Sequence, residues 1–273
     1  MKFQNKAVIH TVLLSSFLMP ASIPASHAAD TGDLAKQSQN PISSLISVPF
    51  ENNANFNAGV DDDLLNVMLI KPVIPIEFSE NWNLVNRAIV PVISQPGIDG
   101  TSLGRKNGLG DITYQGFFTR KKSDSDWIIG FGPQIQLPTH SNDRLGNDRW
   151  AAGPAFVALS MPGKWVLGGL ASQVWDFTNS REDDDISLLT LQPFVNYNFG
   201  KGWYLTSAPV ITANWEAKGS DQWTIPLGGG IGRVVHIGKQ AVNFRAAAYG
   251  NVQRPSNSSD YNIQFSAIFL FPK

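Results

Sequence analysis

The chain has 273 residues, a formal net charge of −1 and a charged fraction of only 16%, so its charge gives no reason to expect binding to nucleic acid. It contains no cysteine, which excludes disulfides, thiolate metal sites and an acyl-cysteine lipid anchor. A mean hydropathy of −0.10 is ordinary for a soluble protein. It also fits a membrane barrel, because only every second residue of a barrel strand faces lipid.

The N-terminal residues have the order of a secretory signal peptide. Two lysines, Lys2 and Lys6, precede an apolar stretch over residues 7–19, and the small residues Ser26 and Ala28 come before a cleavage position. The alternative is a membrane anchor helix, which needs about 20 apolar residues. Here the apolar run is shorter and two prolines follow it, so we predict export with cleavage.

These features divide the chain into three parts. We predict a cleaved signal peptide over residues 1–28 and an outer-membrane β-barrel over residues 42–273. Between them, the polar residues 29–41 are predicted to form a periplasmic N-terminal tail or a short helix.

From Ile42 onward, an extended segment followed by a turn recurs along the chain. The segments are rich in Val, Ile, Thr and aromatic residues, and the breaks contain Gly, Asn, Asp, Ser and Pro, a pattern typical of strands. About twelve such segments, each of roughly 11–15 residues, match the length of tilted membrane strands. The predicted spans are 43–56, 64–78, 82–95, 108–121, 126–138, 149–161, 164–177, 186–199, 202–216, 222–236, 239–253 and 260–271. The fold class is therefore all-β, a transmembrane antiparallel β-barrel.

The connections between these segments alternate in length. The short ones are residues 79–81, 123–125, 162–163, 200–201 and 237–238, and longer ones include 95–107, 140–148, 178–185 and 255–260. Outer-membrane barrels have short periplasmic turns and longer external loops. An even strand count then places both termini in the periplasm, whereas the alternative fold, a soluble β-sandwich, does not require this alternation.

Alternation with a period of two residues is clearest in the fourth, fifth, eleventh and last segments. One face of each carries apolar side chains for lipid, and the other carries polar side chains for a lumen. Charges facing lipid are costly, so charged residues within strands are expected to point inward or to lie at a rim. The predicted pore-lining residues are Arg87, Asp111, Thr113, Gln115, Gln134, Gln136, Asn243 and Arg245. They could filter solutes by charge, or they could form salt bridges that plug a narrow barrel.

The eight tryptophans all fall near predicted strand ends. Four of them follow short turns and four lie beside long loops, which predicts two aromatic girdles at the membrane interfaces. The members are Trp82, Trp127, Trp150, Trp165, Trp175, Trp203, Trp215 and Trp223.

Motifs for chemistry are weak, and we predict no catalytic residue, no metal site and no cofactor. The acidic run 182–185 could bind a divalent cation but matches no EF-hand loop, and residues 61–63 are similar. The glycine-rich run 228–232 lacks the helix and the Lys-Ser/Thr pair of a phosphate loop. His140 and Ser141 are residue types of a hydrolase, but adjacent strand residues point to opposite faces.

Several ordered stretches resemble a known family of bacterial outer-membrane proteins, the phenol meta-pathway transporter family, whose relatives are often mislabelled "neuromedin U". The matching stretches are residues 40–50, 82–87, 89–93, 108–112, 132–133, 137–139, 192–194 and 270–273. The resemblance covers nearly the whole mature chain and implies a barrel that passes small, hydrophobic or aromatic molecules. The terminal lysine departs from the aromatic ending of the usual barrel assembly signal, but a Phe-Pro-Lys ending is the form that these relatives show.

The predicted function is a passive channel or transporter in the bacterial outer membrane, with no enzymatic activity. Its predicted partners are outer-membrane lipid, the barrel-assembly machinery during biogenesis and a small-molecule solute that the sequence does not identify. Two alternatives remain open: a plugged structural or surface-interaction barrel without transport, and a membrane-embedded hydrolase.

Overall fold

The computed structural model describes residues 30–97, 104–121, 125–178 and 185–272. The predicted signal peptide lies outside the described residues, as do residues 182–184 of the acidic run. The described residues form one α-helix, α1 (Thr31–Ser38), two 3-10 turns (Asp143–Leu145 and Gly219–Gln222) and fifteen strands. The strands are β1 (Ile46–Ala58), β2 (Asp63–Ile70), β3 (Val73–Glu77), β4 (Trp82–Gln95), β5 (Lys106–Leu109), β6 (Ile112–Arg120), β7 (Trp127–Leu137), β8 (Ala151–Ser160), β9 (Trp165–Asp176), β10 (Ser187–Gly200), β11 (Trp203–Ser207), β12 (Ile211–Asn214), β13 (Trp223–Ile237), β14 (Gln240–Gln253) and β15 (Tyr261–Phe271).

The strands close into a single antiparallel barrel. Strands that span the barrel one after the other pair with each other, and the ring closes where β1 pairs with β15. Three pairs, β2/β3, β5/β6 and β11/β12, are each one spanning strand with a short interruption, because both halves pair with the same neighbouring strand. The described chain is therefore a twelve-stranded transmembrane barrel, which confirms the predicted fold class and strand count.

The interruption between β2 and β3 has a simple cause. Pro72 has no backbone N–H to donate to the ladder, and the strand resumes at Val73. The Lys71 backbone N–H still donates to the Pro49 carbonyl at 2.9 Å. Lys71 and Val73 both line the lumen, so the interruption leaves the inward and outward alternation in phase.

The two faces of the barrel differ in the way the alternation predicts. On β15, Phe265 is 59% exposed and points outward, whereas the adjacent Ser266 is 6% exposed and points inward. Phe131, Leu205 and Phe244 repeat this outward exposure on other strands. In isolation, such a band of exposed apolar side chains would be costly in water, and it fits the lipid-facing surface of a membrane barrel.

The eight tryptophans lie at or next to strand ends, in two groups. Trp82, Trp127, Trp165 and Trp203 begin strands after short turns. The other four, Trp150, Trp175, Trp215 and Trp223, lie at the long-loop end. Trp215 and Trp223 stack edge to face with ring centroids 5.6 Å apart.

Helix α1 lies inside the short-turn end of the barrel. Its N-terminus is capped by Asp30, whose carboxylate accepts a hydrogen bond from the Gly32 N–H at 3.3 Å. Leu34 and Ala35 are almost fully buried in a cluster with inward side chains of the wall, namely Leu45, Tyr204, Val234, Ala241, Ile268 and Leu270. The segment predicted as a tail or short helix thus contains a helix that occupies one end of the lumen.

Polar contacts hold α1 against several strands. The Asn243 side chain donates to Ser38 Oγ at 2.8 Å, and the Gln39 and Asn198 amides form a reciprocal pair at 2.9 and 3.1 Å. Lys36 donates to the Gly163 carbonyl in the turn between β8 and β9. Within the part of the chain that the structure describes, no helix is long and apolar enough to cross a membrane.

Candidate functional site in the barrel lumen

A cluster of charged side chains occupies the lumen above α1. Arg245, Ser266 and Glu51 are register partners on β14, β15 and β1. Glu51 forms ion pairs with Arg245 at 2.5 Å and with Lys71 at 2.8 Å. The Glu51 carboxylate is therefore shared by two cations, a geometry that a buried carboxylate needs to remain charged.

Arg87 is the third cation of this cluster. It stands opposite Val73 in the register of β3 and β4 and is close enough to Glu51 and Lys71 to interact with both electrostatically. Its Nε and Nη1 atoms are buried and have no hydrogen-bond partner among the described residues. Arginine donors are strong and seldom left unused in a buried site.

These four charged residues line one cavity of about 140 Å³. Its charged wall carries three cations and one carboxylate, which leaves two positive charges in excess. Leu170 of β9 and Phe194 of β10 add apolar side chains to the lining, beside the polar Gln192, Asn196 and Thr206. Ser38, the last residue of α1, and the adjacent Gln39 line the end of the cavity nearest the helix. The cavity is therefore amphipathic and ends at the helix.

A second cavity of about 340 Å³ continues from the first toward the long-loop end. The two cavities share Glu51 and Ala208 in their walls. The second has a mixed lining of amides on β1, β14 and β15 and apolar side chains from β2 and from the residues after β11; its members include Asn53, Asn55, Val67, Leu69, Val210, Asn251, Asn262 and Gln264. Together the cavities trace a path through the lumen down to α1.

Side chains fill much of the interior beside this path. A buried apolar cluster occupies the wall formed by β3, β4, β6 and β8 to β10; it contains Ile42, Val73, Val85, Phe117, Ala155, Val157, Leu159, Val166, Leu170 and Phe194. Twelve strands give an interior between the filled eight-stranded barrels and the water-filled porins. The path is consequently narrow, and it runs beside this cluster.

The predicted pore-lining residues fall into three groups. Arg87, Asn243 and Arg245 line the first cavity, where Asn243 also accepts a hydrogen bond from the Tyr204 hydroxyl at 2.9 Å. Register partners Thr113 and Gln136, and Gln115 and Gln134, lie on the inner face of β6 and β7. Gln115 donates to Gln134 at 2.6 Å. These four do not line either cavity.

Asp111, the remaining predicted residue, is engaged at the long-loop end of the barrel. Its carboxylate contacts His140 Nδ1 at 2.8 Å and accepts the N–H groups of Thr139 and Asn147 at 3.1 and 2.7 Å. These bonds fold the loop between β7 and β8 back over the break between β5 and β6. Asp111 thus fixes a loop at the mouth of the barrel.

Burial would lower the pKa of His140, but the hydrogen bond and charge of Asp111, with the charges of Asp148 and Asp143, raise the pKa above its ordinary value. Below about pH 6.5, the ordinary histidine value, the charged imidazole holds the loop fully. The stabilisation is lost as the pH rises through the raised pKa.

We expect thermal unfolding of the wild-type protein to shift to lower temperature as the pH is raised from 6 to 9. A His140→Gln variant should show a smaller shift, since it removes the group that titrates. Heat-dependent gel mobility across this pH range measures both midpoints. Identical pH dependence in the two proteins would show that the His140 pair does not stabilise the loop.

Among the described residues, no side chains are arranged as a hydrolase or a metal site would require. His140 Nε2 faces Asp148 at 3.2 Å, and Ser141 Oγ accepts the Leu109 N–H at 3.0 Å, so neither side chain is arranged for nucleophilic attack. Asp63 and Asp185 instead form ion pairs with Arg105 and Arg149. Among the described residues, no group of three acidic or histidine side chains is placed to hold a metal ion.

Two members of the charged cluster, Glu51 and Lys71, were not predicted from the sequence. Glu51 stands beside Asn52 and Asn53, and this continuous polar run obscures the alternation. Lys71 stands directly before Pro72, which lacks a ladder donor, and this irregularity obscures the alternation there. A signal was available, because Glu51, Asn53 and Asn55 share one face of β1, and a charge within a membrane strand favours the lumen.

Comparison with known proteins gives a family and a fold. A family model described as "Putative MetA-pathway of phenol degradation" matches residues 51–222. The COG4313 outer membrane channel from Pseudomonas putida F1 has a TM-score of 0.64 and 17% identity, over 85% of this chain and 97% of that chain. That likeness shows the fold, an outer-membrane barrel.

Two weaker structural similarities carry no further argument. A Pseudomonas aeruginosa FadL homologue and the CymD monoaromatic hydrocarbon channel each have a TM-score of 0.41 and 10% identity. These matches cover 85% and 90% of this chain, respectively, and 91% of each of those chains. No curated protein sequence matches the chain.

Proposed function

The chain belongs to the phenol-degradation family whose model it matches, and on that premise we propose that it is a passive outer-membrane channel for small hydrophobic or aromatic molecules. Its outer-membrane barrel fold supports this proposal, as does phenol, the aromatic compound named in the description of its family. The proposal assigns no catalytic step to the chain.

The observation that carries the proposal is the pair of adjoining cavities in the lumen. They share Glu51 and Ala208 and extend from the long-loop end to α1. A cavity of about 150 Å³ holds benzene. The first cavity, of about 140 Å³, is close to this size, and the adjoining cavity of about 340 Å³ is larger, so the path has room for a single aromatic ring. A plain water-filled pore would not need the apolar side chains of Leu170 and Phe194 in its lining.

We propose that the short-turn end and both termini face the periplasm. Short turns face the periplasm in outer-membrane barrels, and both α1 and the end of β15 lie at this end of the lumen. The barrel-assembly machinery would insert the exported chain in this orientation.

Helix α1 favours a second candidate, a plugged barrel that conducts nothing. Leu34 and Ala35 are buried against the wall and leave little room for a solute to pass the short-turn end. In this case, the long loops would serve as a surface for a partner. The two candidates differ in whether solute crosses the membrane.

Uptake of a labelled monoaromatic such as toluene by intact cells tests the channel. Cells that carry the protein should take it up several-fold faster than cells without it, because lipopolysaccharide slows direct passage. An Ala208→Trp variant, which fills the junction of the two cavities, should remove the difference. Ala246→Trp is the matched control, since Ala246 lies on the outer face. Equal uptake with and without the wild-type protein would favour the plugged barrel.

A further inference from the structure

We infer that the first cavity is a binding site for a small carboxylate with an apolar body, such as an aromatic acid, held by Arg87 and Arg245. The inference rests on the proposed function in one respect: the site lies on a transport path only if the protein is a channel. Binding itself can be measured without transport.

The first argument is the unused hydrogen-bonding capacity of Arg87. Its buried Nε and Nη1 atoms have no partner among the described residues, and Nε of Arg245 has none either. Burying such groups without partners is costly. An anion in the cavity would supply the missing acceptors, and the planar guanidinium matches a carboxylate better than it matches a spherical ion.

The second argument is the charge balance of the cavity wall. Lys71, Arg87 and Arg245 are balanced by Glu51 alone. Glu51 is already engaged by Lys71 and Arg245, so Arg87 has no carboxylate within ion-pair distance among the described side chains. A monovalent anion bound at Arg87 would reduce the excess from two positive charges to one.

The third argument concerns the apolar side chains that line the same cavity as Arg87. Phe194 and Leu170 belong to the buried apolar cluster, and both line the cavity that Arg87 lines. A carboxylate at Arg87 would therefore direct its remaining atoms toward an apolar surface. This arrangement fits a ring attached to a carboxylate, because Phe194 and Leu170 can contact the ring while Arg87 binds the charge.

Calorimetric titration of the full mature protein in detergent tests the site with three probes. Benzoate carries both the charge and the ring, acetate carries only the charge, and benzyl alcohol carries only the ring. We expect saturable binding of benzoate that is at least about tenfold tighter than that of either other probe. Saturable benzoate binding no tighter than that of acetate or benzyl alcohol, or no benzoate binding at all, would overturn the inference.

Variants assign the binding to Arg87. Arg87→Gln should weaken benzoate binding at least about tenfold, because it removes the positive charge and some of the N–H donors of the guanidinium. Arg233→Gln is the matched control: Arg233 lies on the outer face over the Trp203 ring, so this variant should bind as the wild type does. If Arg87→Gln fails to fold, Arg87→Lys should still bind several-fold more weakly. If a folded Arg87 variant bound benzoate with unchanged affinity, the assignment of the site to Arg87 would be wrong.

The outcomes for the site and for the channel are separable. Benzoate binding without toluene uptake would retain the site and contradict the channel. Toluene uptake together with absent benzoate binding would retain the channel and contradict the site.

Discussion

A Leu34→Asp variant should conduct ions several-fold better in planar bilayers than the wild-type protein. Leu34 lies on the face of α1 that packs against the barrel wall, where it is almost fully buried among apolar side chains. A carboxylate there has to leave the apolar surroundings, because burying an unpaired charge costs several kcal/mol. The helix should therefore leave the lumen and uncover the short-turn end of the path.

The matched control is Gln37→Asp, which places the same carboxylate on an exposed position of α1. It should conduct as the wild type does. If Leu34→Asp and Gln37→Asp gave equal conductance, with both barrels folded, α1 would not be the element that limits passage.

A Glu51→Gln variant should be destabilised by about 3–5 kcal/mol, the cost expected when one partner of a buried ion pair is removed. The Glu51 side chain is only 7% exposed, and its partner Lys71 is 18% exposed. Without the carboxylate, Lys71, Arg87 and Arg245 would repel one another inside the lumen. The free energy of unfolding, from denaturant titrations in lipid vesicles, measures the loss.

Glu77→Gln provides the control for this prediction. Glu77 also pairs with a lysine, Lys121, at 2.8 Å, but its side chain is 74% exposed. Exposed pairs contribute little to stability, so this variant should unfold nearly as the wild type does. An equal, small effect of the two substitutions would mean that water or salt screens the luminal cluster.

The barrel could be predicted from the sequence because its physical requirements repeat along the chain. Each strand of the last hairpin must present apolar side chains to lipid at every second position; β15 satisfies this over its whole length and β14 does so from Val242 to Val252. The predicted span 82–95 coincides with β4, because Trp82 directly follows a short turn. Both the alternation of apolar residues and the position of a turn involve residues that are close in sequence, so a single sequence is sufficient to recognise them.

The candidate site was less accessible, because it depends on contacts between distant strands. Arg87 and Arg245 were predicted to face the lumen, but their common cavity requires the closure of β1 on β15. The position of α1 inside the barrel was also not predictable, since residues 31–38 are polar enough to be a free tail. Its apolar packing against Tyr204 and Leu270, together with the hydrogen bonds of Lys36 and Ser38, fixes it there.

Every proposal above depends on the assignment of alternate residues to lumen and lipid, and single-cysteine labelling tests that assignment most directly. The chain has no cysteine of its own, so one can be introduced at each position from 262 to 267 on β15 in the bilayer-inserted protein. We predict that a charged, water-soluble maleimide labels the inward positions Asn262, Gln264 and Ser266. The outward positions Ile263, Phe265 and Ala267 should remain unlabelled. Equal labelling of both sets would contradict the barrel with a solvent-accessible lumen.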